Sequence, residues 1–511
     1  MQGKTTKHSK NLALGGKTDM YKFDRNHQFS FSDFNQPLGM EMSSENRWVK
    51  KAALIPWNEI EDRYASLFPS EVGMPAKPLQ MALGSLLIQK EYNYSDRELV
   101  EQIKENPYYQ YFIGLPGYEY KAPFAPSLLV EFRKRLNEEV LAEINEMIAE
   151  YNAPDVPSDD DSDNGNSGDG GNTKTTNADQ TESTESENKG TLILDATCAP
   201  QNIAYPQDIN LLNEARENLE SIIDRICCDY NFYKPRMYRQ KARKDYLALA
   251  KCKKRTGKRV RKAIGKQLGY ISRDLGYIDM FVLYNNVVLT DKQRQRLSVI
   301  TELYDQQKYM YDNRVHSVKD RIVSISQPYI RPIVRGKAKS PVEFGAKLDM
   351  SIDERGIARL EKLSFDAYNE ADVLTTAIEN YHKRTGHYPE RVLVDQIYRN
   401  RNNIAFCKSK NIRISGTPLG RPKKNPSSEE LKTAHQDNTD RIEVERGFSL
   451  AKRCFGMGLI CTKLDITTRS SIMLSILAMN LSSIARELFL CLLSAFPFSQ
   501  WIYACFECRD C

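Results

Sequence analysis

Between Asn152 and Gly190 the chain is built almost wholly from Asp, Glu, Ser, Thr, Asn and Gly. A stretch so poor in apolar side chains cannot bury enough surface to offset the entropy of ordering it, so no hydrophobic core can run through it. It is expected to be disordered, and whatever folds must do so on either side. A solvated spacer between two folded parts is the plainest role for it.

The chain has 511 residues, of which 41% are hydrophobic, enough for two or three domains with real cores. Its 73 Lys and Arg exceed its 67 Asp and Glu, a formal charge of +6. Because the spacer is acidic, the folded parts are more basic than that total, which favours a polyanionic partner such as nucleic acid. The opening residues MQGKTTKHSKNLALGGKTDM hold no apolar h-region, which argues against export and for a cytoplasmic protein. The 11 cysteines are scattered singly, a pattern of reduced thiols. Cys505, Cys508 and Cys511 form a C-x-x-C-x-x-C tail that lacks a fourth ligand and reads as incidental.

Ahead of the spacer, residues 1–47 show no sustained period and are expected to form a flexible arm. Pro56 to Phe68 and Lys77 to Tyr92 read as helices, the second from Leu79, Leu83, Leu86 and Leu87. Ser95 and Glu98 have the spacing of a capping box that opens another. A single further helix is expected from Ser127 to Tyr151. Short helices with tight links suggest a helix-turn-helix-like module over 48–151, with a helical cap on the following domain as the alternative.

Beyond the spacer, two apolar segments each run into an aspartate: Thr191 to Asp195 (TLILD) and Arg391 to Asp395 (RVLVD). Both are short and β-prone, and both are expected to end where a loop begins. Far downstream, Asp440 to Leu459 reads DRIEVERGFSLAKRCFGMGL and places Arg441, Glu445 and Lys452 at offsets of four and seven. On a helix Glu445 lies about 40° and Lys452 about 20° around from Arg441, so the three share a face while Glu443 points away. A merely exposed helix with i,i+4 ion pairs would have the same spacing. Three gathered carboxylates would repel by roughly 4 kcal/mol per pair at about 4 Å, which calls for a cation, and magnesium suits an all-oxygen set.

The order Asp, Asp, Arg-x3-Glu-x6-Lys, with Asp195-Ala196-Thr197, PVEFGAKL from Pro341 and SFDAYNEAD from Ser364, resembles the DDE transposases of bacterial insertion sequences. The resemblance runs from Ile55 to Ser483. It implies an α/β fold: an RNase H-like mixed sheet flanked by helices, with a helical insertion and an N-terminal all-helical DNA-binding domain. It also implies that Asp195, Asp395 and Glu445 form the catalytic triad and hold two Mg²⁺ ions, for which Mn²⁺ can substitute. The implied partners are double-stranded DNA, as the element's terminal repeats and target, and a second copy of the chain on that DNA. The implied setting is the nucleoid. Where the family often has a tyrosine three residues before the arginine, this chain has Asn438.

Between the two aspartates, Asn210 to Tyr230, Asp245 to Leu268 and Asp291 to Asp312 read as helices of an insertion covering about 208–335. It carries the densest basic run of the chain, including Lys253, Lys254, Arg255, Arg259 and Arg261, interleaved with Tyr233, Tyr238, Tyr246 and Tyr270. With few compensating acids, that run is expected to contact DNA phosphates. Arg331, Arg335 and Lys337, and Arg421 in the loop Ser415 to Lys424, add cations near the expected cleft. Arg441 and Lys452 are expected to hold phosphates beside the metals.

The rest of this half reads as strands at Phe344 to Ile352, Ile357 to Phe365 and Ile412 to Ile414, and as helices at Asp372 to Arg384 and Tyr398 to Lys410. Asp349 and Asp366 are assigned structural roles. Ile472 to Phe489 is apolar but interrupted by Asn480, Arg486 and Glu487, so it reads as a core helix and not a membrane span.

The expected organisation is an arm (1–47), a DNA-binding domain (48–151), the spacer (152–190), a catalytic domain (191–485) and an apolar, cysteine-containing tail (486–511). The expected function is a transposase that binds the ends of its element and catalyses metal-dependent DNA cleavage and strand transfer. The alternatives are a structure-selective nuclease with the same triad, a DNA-binding protein that has lost catalysis, and a helical scaffold whose basic insertion binds acidic proteins.

Overall fold

In the computed structural model, which describes residues 30–67, 76–154, 187–334, 342–416 and 427–495, the segment ahead of the spacer is all helical. It comprises α1 (Arg47–Ala53), α2 (Trp57–Ala65), α3 (Leu79–Tyr92), α4 (Asp96–Glu105), α5 (Pro107–Phe112), α6 (Leu128–Arg135) and α7 (Glu138–Tyr151). α3 is buried almost all round, with Leu79, Leu83, Leu86 and Ile88 wholly inside, which makes it the helix the others cover. Trp48 of α1 packs edge-on to Phe112 of α5, ring centres 4.7 Å apart. Ser95 caps α4 by accepting from the Glu98 N–H at 3.2 Å.

The single helix expected from Ser127 to Tyr151 is two. Asn137 accepts from the Val140 N–H at 3.0 Å, and a side chain that caps a new helix competes with continuing the old one. The expected flexible arm falls largely on residues 1–29, and most of the acidic spacer on 155–186; both stretches lie outside the described residues. So do Arg335, Lys337, Arg421 and the cysteine tail.

After the spacer come β1 (Thr191–Pro200), the helices α8 (Asp208–Asp229), α9 (Arg239–Ala250), α10 (Gly257–Tyr284) and α11 (Asp291–Asn313), then β2 (Arg331–Val334), β3 (Val342–Ile352) and β4 (Ala358–Ser364). The chain continues through α12 (Leu374–Thr385), β5 (Arg391–Val394), α13 (Arg401–Ser409), β6 (Arg413–Ile414), α14 (Ser428–Cys454) and α15 (Asp465–Ala495). The sheet runs β2-β3-β1-β5-β6, with β4 also on β3. β1 is antiparallel to β3 and parallel to β5, and β5 is parallel to β6. The sheet is therefore mixed, and α13 supplies the crossover that parallel neighbours need.

Two expectations are corrected here. β1 does not stop at Asp195 but pairs with β3 as far as Pro200 opposite Gly345, which places Asp195 in mid-strand. At Gly345 a Cβ would overlap the Ala199 carbonyl, so only glycine fits that crossing. The helix expected over Asp245 to Leu268 breaks between Ala250 and Gly257. Lys251, Lys253, Lys254, Arg255 and Lys258 crowd this junction at spacings where like charges repel on a helix.

The described chain divides into two compact units, Lys189–Glu354 with Leu360–Ile472 in one, and the N-terminal helices with Arg355–Arg359 and the chain from Met473 in the other. Asn480, which interrupts the apolar α15, is 2% exposed. Its amide nitrogen donates to Asn145 Oδ1 at 2.8 Å and to the Ala358 carbonyl at 2.7 Å, and its oxygen accepts from the Ala358 N–H at 3.0 Å. Among the described residues no helix is long and apolar enough to cross a membrane. Asn480→Ala would leave Asn145 Oδ1 and the Ala358 N–H without this partner, while the Ala358 carbonyl keeps a bond from the Asn145 amide nitrogen at 3.3 Å; we predict a loss of about 2–3 kcal/mol in stability, read from the urea denaturation midpoint of the protein.

Candidate active site

Parallel pairing matches Thr191 with Arg391 and Leu194 with Val394, so Asp195 in β1 and Asp395 in the turn after β5 each follow the last matched pair by one residue. Alternation along β1 then puts Asp195 and Thr197 on one face and Leu194 and Ala196 on the other. Each aspartate accepts from the N–H that follows it: Ala196 to Asp195 Oδ1 at 2.8 Å, and Gln396 to Asp395 Oδ1 at 2.7 Å. Asp395 thereby caps the 3-10 turn Gln396–Tyr398.

The helix α14 lies over that face. Ser427 and Glu430 form a reciprocal capping box at its start. Its apolar stripe of Val444, Phe448 and Ala451 is buried. Arg391 at the start of β5 reaches Asp440 at 2.7 Å, and Arg413 at the start of β6 holds both oxygens of the buried Asp437, at 2.5 and 2.8 Å. These pairs fasten the helix to the strand starts. Further along, Lys452 Nζ donates to Thr197 Oγ1 at 2.8 Å, on the rung beyond Asp195.

Burial pushes the Asp195 carboxyl up to about 6. The Ala196 N–H and the Arg441 guanidinium act against that rise, while the Asp395 and Glu370 carboxylates add to it. Arg441 also ion-pairs with Glu445 at 3.2 Å, and Glu445 is half exposed. The structure thus brings Asp195, Asp395 and Arg441 together and turns Glu445 toward Arg441. Among the described residues no three His, Cys, Asp or Glu side chains cluster closely enough to hold a metal. Glu443 pairs with Arg446 on the outer face, and Asn438 is exposed.

Residues 38–135 match a family described as Transposase domain (DUF772), and residues 392–482 match one described as Transposase DDE domain. The second segment opens in β5 just ahead of Asp395 and encloses Arg441, Glu445 and Lys452. Both matches support a DDE transposase of an insertion sequence. The chain is also 29% identical over 111 residues to "Uncharacterized protein ORF8 in nfe locus" of Rhizobium meliloti, a match covering 22% of this chain and 53% of that protein. The chain thus spans about half the length of the curated relative it matches. No solved structure matches it.

The other expected site residues are dispersed. Arg331 sits in β2, where its guanidinium serves the Pro328 and Ile330 carbonyls and lies 3.7 Å from Asp366. In the insertion, Lys253, Lys254, Arg255 and Arg259 are exposed at the α9–α10 junction. Arg261 instead packs α10 on α11, donating to the Tyr311 carbonyl at 2.7 Å with its guanidinium over the Tyr311 ring. The sequence assigns no role to Thr197, Glu370, Asp437 or Asp440. Thr197 was available from strand alternation, two residues past Asp195; Glu370 belongs to a turn with no period to mark it.

The raised Asp195 carboxyl has a stability signature. Its folded value lies above the unfolded one, so the metal-free protein should lose stability as pH rises from about 4 to about 6. Asp195→Asn is expected to stabilise it by on the order of 2 kcal/mol at pH 8 and to have little effect below pH 4, measured by chemical denaturation across pH.

Proposed function

We propose that the chain is an RNase H-like DNA transposase that binds the ends of its own element and carries out metal-dependent DNA cleavage and strand transfer. The observation that supports this best is the placement of Asp195 and Asp395 directly after the last matched pair of two adjacent parallel strands, under a helix that presents Arg441, Glu445 and Lys452. Residues 48–151 would be the DNA-binding domain, a role that fits the transposase domain matched over 38–135.

The donor set suits a hard divalent cation. Two carboxylates face one another's charge, with one already driven toward its neutral form, and a cation would relieve that repulsion. Asp195 and Asp395 would hold Mg²⁺ or Mn²⁺, with Glu445 joining them on release from Arg441. When bound, a pair of such ions supplies an activated water or 3′-hydroxyl and neutralises charge on the scissile phosphate.

The chain's own groups do the rest. Arg441, freed of Glu445, is placed to donate to phosphate oxygens in a bidentate manner, and Lys452 adds a point charge held in place by Thr197. The exposed cations of the insertion would steady the duplex through its backbone without reading its sequence. A second copy of the chain would join on DNA when two element ends are brought together.

Asp195→Asn or Asp395→Asn should abolish nicking of element-end DNA in Mg²⁺ while binding persists in a gel-shift assay; nicking at the wild-type rate would rule the pair out as catalytic. For the insertion, about six phosphate contacts correspond to a log-log salt slope of about −5. Replacing Lys253, Lys254 and Arg255 together by Ala should make that slope shallower by about 2–3. An unchanged slope would place the DNA elsewhere.

A further inference from the structure

Asp349 in β3 has no exposed surface and takes no part in the chemistry above. It stands opposite Ala196 of β1, so its side chain leaves the sheet on the face away from Asp195 and α14. There it accepts two phenolic hydrogen bonds, from Tyr398 at 2.5 Å and from Tyr368. Tyr368 is a neighbour from the β4–α12 connection, flanked by Lys347 and Lys362 over its ring. Tyr398 belongs to the Asp395 turn.

That difference matters because the β1–β5 ladder ends at Leu194 and Val394, one residue short of Asp395. Asp395 is fixed by its turn: the Tyr398 N–H donates to the Asp395 carbonyl at 3.1 Å. Tyr398 is itself wholly buried in an apolar cluster with Leu194, Leu374 and Val394. To reach β3 from beyond β5 its phenol must pass β1, on the face where Ala196 presents only a methyl group. One short turn therefore connects a carboxylate on the outer face to a carboxylate buried behind it.

We propose that Asp349 is a positioning residue: through the Tyr398 hydroxyl it pins the turn after β5 and keeps Asp395 level with Asp195 against their mutual repulsion. The inference rests on the assignment of Asp195 and Asp395 as the ion-binding pair. Tyr368 saturates the second carboxylate oxygen from outside the turn; its segment reaches the turn at one remove, through Asn403, which donates to the Ala371 and Tyr398 carbonyls at 2.7 and 2.8 Å, so the two phenols make different predictions.

The test is Mn²⁺ binding to the metal-free full-length protein, followed by electron paramagnetic resonance, with hydrogen exchange at the Gln396 amide as a readout that needs no metal. Tyr398→Phe and Asp349→Asn should each weaken Mn²⁺ binding about 10-fold and speed exchange at Gln396, while Tyr368→Phe should do neither. Tyr398→Phe keeps the buried ring, so it remains decisive should Asp349→Asn fail to fold. If Asp195→Asn weakens Mn²⁺ binding but Tyr398→Phe does not, or if Tyr368→Phe matches Tyr398→Phe, the positioning role is overturned. If Asp195→Asn binds Mn²⁺ like wild type, the ion-binding pair itself is wrong and the inference falls with it.

Discussion

Two carboxylates of like charge are brought near one another by a sheet that stops just short of pairing them. The parallel ladder between β1 and β5 ends at Leu194 and Val394, one residue before Asp195 and Asp395, and burial of Asp195 adds to the effect of the exposed Asp395 charge on it. Everything else in this unit is arranged around that conflict. The helix α14 brings a guanidinium to the pair, and Arg391 and Arg413 tie the helix to the strands through Asp437 and Asp440. The sheet thus acts as a jig that holds an arrangement its side chains would not adopt unaided.

The helix α14 carries both a clamp and a latch. Its first half is held by ion pairs to strand starts, where exact placement matters for the pair beneath. Its second half puts Arg441 between two acids, so Glu445 and Asp195 compete for one cation. Such competition is a natural consequence of placing Arg and Glu four residues apart on an inward-leaning face. The same i,i+4 pair that stabilises an isolated helix here holds Glu445 on Arg441.

Much of this was legible in the residues, and the failures have physical causes. The short apolar runs in TLILD and RVLVD located both strands and both aspartates, and the offsets at Arg441, Glu445 and Lys452 located one helix face. The end of β1 was missed because TCAP carries no β-branched run after Thr197; its strand character comes from β3, a partner far away in sequence. The break at Asn137 was missed because apolar periodicity persists across it while a cap interrupts the backbone; the one from Lys251 to Thr256 was missed because a cluster of like charges there was taken as one basic helical stretch. Glu445 was expected beside the aspartates. Spacing alone could place it on the right side of a helix but could not say which neighbour its carboxylate would choose.

The amide triangle of Asn145, Ala358 and Asn480 joins segments made at three different times during synthesis. A ribosome delivers Asn145 early, whereas Asn480 emerges only near the end. Until α15 is made, Asn145 Oδ1 and the Ala358 N–H lack the partner that Asn480 gives them. Loss of α15 would therefore reach back to polar groups in segments synthesised long before it.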